Sequence, residues 1–249
     1  AYALAFDISN AYEDGESALR FKNIVKPEQS QSVTLTGNVD LTATGVIGIG
    51  KDNTEKKASA QTFKGIFDGN SYTVTLDIGT TYGVNISESD NASGQLYAKR
   101  SDQQDTHYSL ALIPFAKDVT VKNLTIKGNV QCNIPKNVNQ EGNETDVRYP
   151  AFASGVIGYA SGTTTFTNIT VNAAVLVTEE TKANKLHAWQ SGFLGRFEGT
   201  QLTYQNCTWG TDASLTDERN TDNARMGGLA AEVMGGAEVT VKDCTLNGT

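Results

Sequence analysis

Apolar residues in this chain recur at every second position in short runs, and the runs come in sets that repeat. Four segments overlay residue for residue: Val119-Thr-Val-Lys-Asn-Leu-Thr-Ile126, Thr164-Thr-Phe-Thr-Asn-Ile-Thr-Val171, Leu202-Thr-Tyr-Gln-Asn-Cys-Thr-Trp209 and Val239-Thr-Val-Lys-Asp-Cys-Thr-Leu246. Their shared Asn/Asp falls at Asn123, Asn168, Asn206 and Asp243, at separations of 45, 38 and 37 residues. A small apolar strand precedes each: Ser109–Phe115, Ser154–Ala160, Ser191–Phe197 and Gly227–Val233. A third strand follows the first three, at Val130–Ile134, Val175–Thr178 and Ala213–Thr216. Three short strands returning through a variable segment make one turn of a solenoid, and internal repetition at this period is its signature.

Strand side chains alternate with period two, so Val119, Val121, Leu124 and Ile126 share the interior. The step from Val121 to Leu124 is one residue too long for a straight strand. The chain must therefore bend at Lys122-Asn123, and equally at Asn168, Asn206 and Asp243. Asn and Asp tolerate left-handed backbone and suit such a corner. Stacked about 4.8 Å apart, their amides can also bond one another in a ladder. Of the seven Asn-x-Ser/Thr triplets, those at Asn123, Asn168 and Asn206 are explained by this corner rather than by glycosylation.

Cys207 and Cys244 take the interior position of Leu124 and Ile169, and Cys132 lies between Val130 and Ile134 on one face, so all three read as core filler. A Cys207–Cys244 bridge is within reach of neighbouring passes, but parallel-stacked side chains give it an awkward angle. Upstream, Ser32–Leu41 and Phe63–Leu76 supply strands with turns at Gly37-Asn38 and Asp68-Gly69-Asn70. Asp14 to Val25 reads as the one amphipathic helix, ended by Pro27 and placed to cover the open end of the solenoid. The expected organisation is a cap over residues 1–31 and a solenoid over 32–249. The last unit stops at Thr249 before a third strand, which predicts a chain cut from something longer, with the remainder of the parent chain as a partner or another chain pairing with the bare end.

The run Phe63-x-Gly-x-Phe-Asp-Gly-Asn-x-Tyr-Thr-Val, the apolar-Gly strands such as Gly192-Phe-Leu-Gly195, and the x-Val-x-Asn-Leu-Thr-Ile units resemble bacterial surface proteins carrying GLUG-type repeats. These are similar to the right-handed parallel β-helices of the pectin-lyase-like superfamily. The resemblance covers roughly residues 30–249. It implies an all-β fold, a right-handed parallel β-helix of three short strands per rung. It also implies secretion or display at the cell surface, as an adhesin or stalk, in a superfamily that also holds polysaccharide lyases and hydrolases. Right-handedness follows independently from the crossover rule.

Composition narrows the partners. With 28 Asp+Glu against 20 Lys+Arg the net charge is −8, which argues against nucleic acid or an anionic membrane surface as partner. No apolar run is long enough for a membrane-spanning helix. Catalytic signals are few: no Gly-x-Ser-x-Gly elbow, no phosphate-binding loop, and His107 and His187 only in segments leading into a first strand.

Tyr159, Arg196 and Glu232 fall on successive rungs of one outward face, with Arg196 at ion-pair distance from Glu232; a lyase or glycosidase would draw on such carboxylate and Arg groups. Asp212, Asp217, Glu218 and Asp222 form an acidic loop that is the candidate calcium site, though without EF-hand spacing. No cofactor other than calcium is suggested.

The segments 79–108, 135–151, 179–190 and 217–225 all leave after a third strand, so they should collect along one edge and make its binding face. They carry His107, Tyr108, Arg148, Tyr149, His187, Trp189 and Arg225. Trp189 either stacks on a sugar ring or packs onto an outer column of Leu112, Ile157 and Leu194. Outward Thr residues also stack twice, as Thr120, Thr165, Thr203, Thr240 and as Thr125, Thr170, Thr208, Thr245, an array resembling ice-binding faces but divided by the Asn corner. The expected function is a non-catalytic adhesion module presenting a loop-lined edge to glycan or protein, with a polysaccharide-cleaving enzyme as alternative and a structural stalk third.

Overall fold

The structure, a computed structural model, describes residues 31–41, 62–78, 98–102, 105–134, 151–179, 188–219 and 224–249. The helix expected over Asp14–Val25, and with it the proposed cap, lies outside these residues. The described chain is all-β, without a helix.

The strands run β1 (Gln31–Thr34), β2 (Val39–Asp40), β3 (Phe63–Ile78), β4 (Ala98–Asp102), β5 (Asp105–Leu110), β6 (Ile113–Ile134), β7 (Ala151–Ser154) and β8 (Ile157–Glu179). They continue as β9 (Ala188–Ser191), β10 (Leu194–Gln205), β11 (Thr208–Trp209), β12 (Ser214–Asp217), β13 (Ala224–Gly227), β14 (Ala230–Val233), β15 (Glu238–Lys242) and β16 (Thr245–Leu246). One sheet has the order β1-β3-β6-β8-β10-β14, with β2, β11, β12, β15 and β16 on its flanks; a second has the order β13-β9-β7-β5-β4. Every pairing is parallel except the β4–β5 hairpin. Each pass of the chain therefore lies in register on the pass before it.

The register carries the sequence repeat into space. Val121, Phe166, Tyr204 and Val241 form one column, and Thr120, Thr165, Thr203 and Thr240 the outward column beside it. Val119, Val121, Leu124 and Ile126 are all buried, as alternation requires. Within the core Phe166 and Tyr204 stack at 4.9 Å, and Phe193 meets Tyr204 edge-on at 5.8 Å, both preferred aromatic geometries. Tyr204 satisfies its buried hydroxyl by donating to the Leu229 carbonyl at 2.9 Å.

The corners are where the alternation broke. Asn123, Asn168, Asn206 and Asp243 have φ of 52°, 54°, 53° and 53°, the left-handed region that Asn and Asp enter most readily among residues with a side chain. Asn168 donates its amide to Asn123 Oδ1 and Asn206 to Asn168 Oδ1, each at 3.1 Å. Asn123 donates in turn to Asp68 Oδ1 at 3.1 Å.

Two expectations need correction. In β6 and β8 the second and third strands are not separate: β6 runs unbroken through Ile113–Ile134, bending at Asp118, Asn123 and Gly128, where positive φ (51°, 52° and 92°) turns the chain, whereas in the next pass the two stand apart as β11 and β12. The first strand, conversely, is divided. It breaks at Gly155-Val156, Gly192-Phe193 and Gly228-Leu229, between β7 and β8, β9 and β10, and β13 and β14. A Cβ on Gly155 would stand 2.7 Å from the Gly192 carbonyl oxygen, and one on Gly192 2.7 Å from that of Gly228, so backbone approaches backbone at this corner.

The segments expected as loops are also shorter than read, since β4, β5, β9 and the start of β13 fall inside them. Cys132 and Cys207 are buried, Cys244 is half-buried, and all three are free.

Candidate functional site

Because the chain turns at the glycine corner, the outward side of the second sheet folds toward the outward side of the first. In β7 and β9, Ala153 and Ala188 enter the main core while Phe152 and Trp189 point the other way, yet these two are 0% and 3% exposed. They are covered in an elbow by Phe115 and Tyr159 from the other arm. Phe152 lies 5.2 Å from Trp189 and 5.7 Å from Tyr159 by ring centroids, and Phe115 lies 6.2 Å from Tyr159. This is an aromatic cluster separate from the main core.

Charged groups roof it. Phe152, Trp189 and Arg225 are register partners on successive passes, so Arg225 stacks on Trp189 from the following pass, 5.2 Å from the ring centroid. Arg196 reaches the same ring at 5.3 Å. Such cation–π contacts contribute roughly 0.5–2 kcal/mol each, more as they lose water. Tyr159, Arg196 and Glu232 are register partners, as the sequence placed them. Arg196 Nε pairs with Glu232 Oε2 at 3.3 Å and its Nη2 with Glu198 Oε1. Arg225 Nε pairs with Glu232 Oε1, also at 3.3 Å, and Tyr159 donates its hydroxyl to Glu198 Oε2 at 2.7 Å. Two guanidiniums, two carboxylates and a phenol thus form one connected polar surface over a buried aromatic floor. A network of this kind holds its donors and acceptors in fixed positions.

Of the residues named from sequence, the structure brings together Trp189, Arg196 and Arg225. Trp189 belongs to strand β9 rather than to a loop, and its burial leaves no open ring face for a sugar. Its packing partners are Phe152 and the two arginines, not the column Leu112, Ile157, Leu194. That column is corrected too: Ile113, Ile157 and Leu194 are the register partners, and they lie in the interior core with Leu112. The reading was one residue out because the corner at Ala111-Leu112 is shorter than its counterparts. His107 and Tyr108 lie in β5, Tyr108 beside Ala151 of β7. Arg148, Tyr149, His187 and Asp222 are outside the described residues. Sequence reasoning missed Phe115, Phe152 and Glu198. Phe152 alone carried a signal, being a bulky apolar residue on the side of its strand that alternation assigns to solvent.

The described members of the acidic loop, Asp212, Asp217 and Glu218, do not converge. Asp217 accepts from Arg219 on both oxygens, Nε to Oδ1 at 2.9 Å and Nη2 to Oδ2 at 2.5 Å, a bidentate pair in which the Arg219 side chain is fully buried. Asp212 and Glu218 are exposed, and no group of three His, Cys, Asp or Glu residues among those described is placed to hold a metal ion. The buried thiols are poor nucleophiles: burial pushes Cys132 up to about 12 and Cys207 up to about 11, so neither forms thiolate at neutral pH.

The segments between Ile134 and Ala151, between Glu179 and Ala188, and between Asp217 and Ala224 rejoin the described chain at three register partners, Ala151, Ala188 and Ala224. That column of rejoining points stands next to the elbow. Comparison with family models, with curated proteins and with solved structures finds no match to this chain.

Proposed function

We propose that the chain is a right-handed parallel β-helix acting as a non-catalytic binding module of a secreted or cell-surface bacterial protein, and that the elbow at Arg196 and Arg225 contacts glycan or protein. Parallel in-register pairing through successive passes, with left-handed Asn corners, supports the helix; right-handed crossover is the rule for parallel connections. The GLUG-type resemblance supports surface display.

The observation that carries the binding role is the roofed elbow. Its guanidinium, carboxylate and phenol groups sit over buried aromatics beside the column where three chain segments rejoin. Pre-positioned donors and acceptors at such a place suit the vicinal hydroxyls of a sugar or a polar protein surface. The enzyme reading has one feature in its favour, two carboxylates at one site. Both Glu198 and Glu232 are committed to the same guanidinium, however, rather than facing each other across an open gap as a glycosidase requires.

The test is incubation with a panel of plant, microbial and mucin polysaccharides, with and without calcium, scoring retention and new chain ends in the same samples. Retention without new ends is expected. Arg225→Ala, which removes a guanidinium from the rim without touching the core, should weaken retention roughly tenfold. Undiminished retention in that variant would move binding away from the elbow, and new chain ends would establish the enzyme instead.

A further inference from the structure

Among the described residues β15 pairs only with β10, and its other edge has no strand beside it. Val239 and Val241 of β15 are register partners of the buried Leu202 and Tyr204, yet they are 47% and 53% exposed. Val233, Met234 and Leu246 on either side of them are exposed as well. An edge with free backbone groups and exposed interior-column side chains is a pairing template.

The sequence of that edge is self-complementary. β15 reads Glu238-Val-Thr-Val-Lys242, so reversing it about Thr240 exchanges Glu for Lys and Val for Val. We infer that this edge docks a second copy of the chain, β15 pairing antiparallel with the same strand of its partner about a two-fold axis through Thr240.

In that arrangement Glu238 faces the partner's Lys242, Lys242 faces the partner's Glu238, and Val239 faces the partner's Val241. The axis is normal to the sheet, so both pairs of valines remain on the interior side and the two cores become continuous. The side bearing Val233 and Met234 in one copy comes over the side bearing Leu246 in the other. The interface is isologous and closes at two copies. Head-to-tail stacking lacks this charge match: continuing the column Thr34, Asp68, Lys122, Thr167, Gln205, Lys242 would set Lys242 beside Thr34, with no carboxylate to receive it.

Sedimentation equilibrium on the 249-residue chain, from about 1 to about 200 μM, tests this at the affinity on the order of micromolar that a small interface supports. A monomer–dimer equilibrium is expected. Glu238→Lys and Lys242→Glu, each placing like charges opposite one another twice per dimer, should each weaken association by roughly tenfold. The double variant Glu238→Lys/Lys242→Glu should restore it to within about threefold of the original. Both positions are exposed on β15, so circular dichroism should show the variants folded. A monomer throughout the range overturns the proposal. Open-ended growth overturns it in favour of head-to-tail stacking, and a dimer indifferent to either single reversal overturns the assigned register.

Discussion

Asp68 stands at the foot of the Asn column and is the acceptor on which it rests. Burial by itself would raise its carboxyl, but the Asn70 N–H, the Asn123 amide and Lys122 all favour the ionised form and hold it below the ordinary value of 3.8. The Lys122 Nζ lies 3.2 Å from Oδ2. A depressed carboxyl contributes stability that is present above its unfolded value and is lost as pH falls through its folded value. Stability should therefore decline below about pH 4. Asp68→Asn keeps an acceptor for Asn123 but removes the charge, costing less than ~1 kcal/mol at neutral pH because the pair is partly solvated. Its thermal midpoint should fall less steeply than the parent's between about pH 5 and pH 3. Parallel curves for the two proteins would show that Asp68 does not govern the acid limb.

At the scale of the element, the corner is two devices in one residue. Asn168 supplies left-handed backbone, and its amide links the passes below and above. Asn168→Ala loses both and should cost about 1–3 kcal/mol in urea unfolding. Asn168→Gly keeps the backbone and loses only the ladder, so it should recover about 1 kcal/mol of that cost. Equal loss in the two variants would assign the effect to the ladder alone.

These corners were legible in the sequence because a break in alternation is a break in strand geometry, and the residue at the break was one that tolerates the turn. The glycine corner was not. Gly155 and Gly192 sit inside apolar runs whose alternation continues on both sides, and their need for a bare Cα comes from the neighbouring pass, a contact no single pass encodes. The elbow was half legible for the same reason. Register alone aligned Tyr159, Arg196 and Glu232, whereas the meeting of Trp189 with Arg196 depends on the angle between two sheets.

For the whole molecule, the order β1-β3-β6-β8-β10-β14 means that each pass bonds only to the passes on either side of it. Among the described residues nothing in the main sheet ties β1 directly to β14 or β15, so stability accumulates from one neighbour interface to the next. The consequence is mechanical. Stretched between its two ends in a single-molecule experiment, the protein should yield as a staircase rather than in one rupture. Each step should free one pass, 37 to 45 residues by the spacing of Asn123, Asn168, Asn206 and Asp243. At about 3.4 Å per residue that is roughly 12–16 nm of slack. One row of hydrogen bonds at a time bears the load, so the force of each step should be set by a single interface however many passes the stack contains.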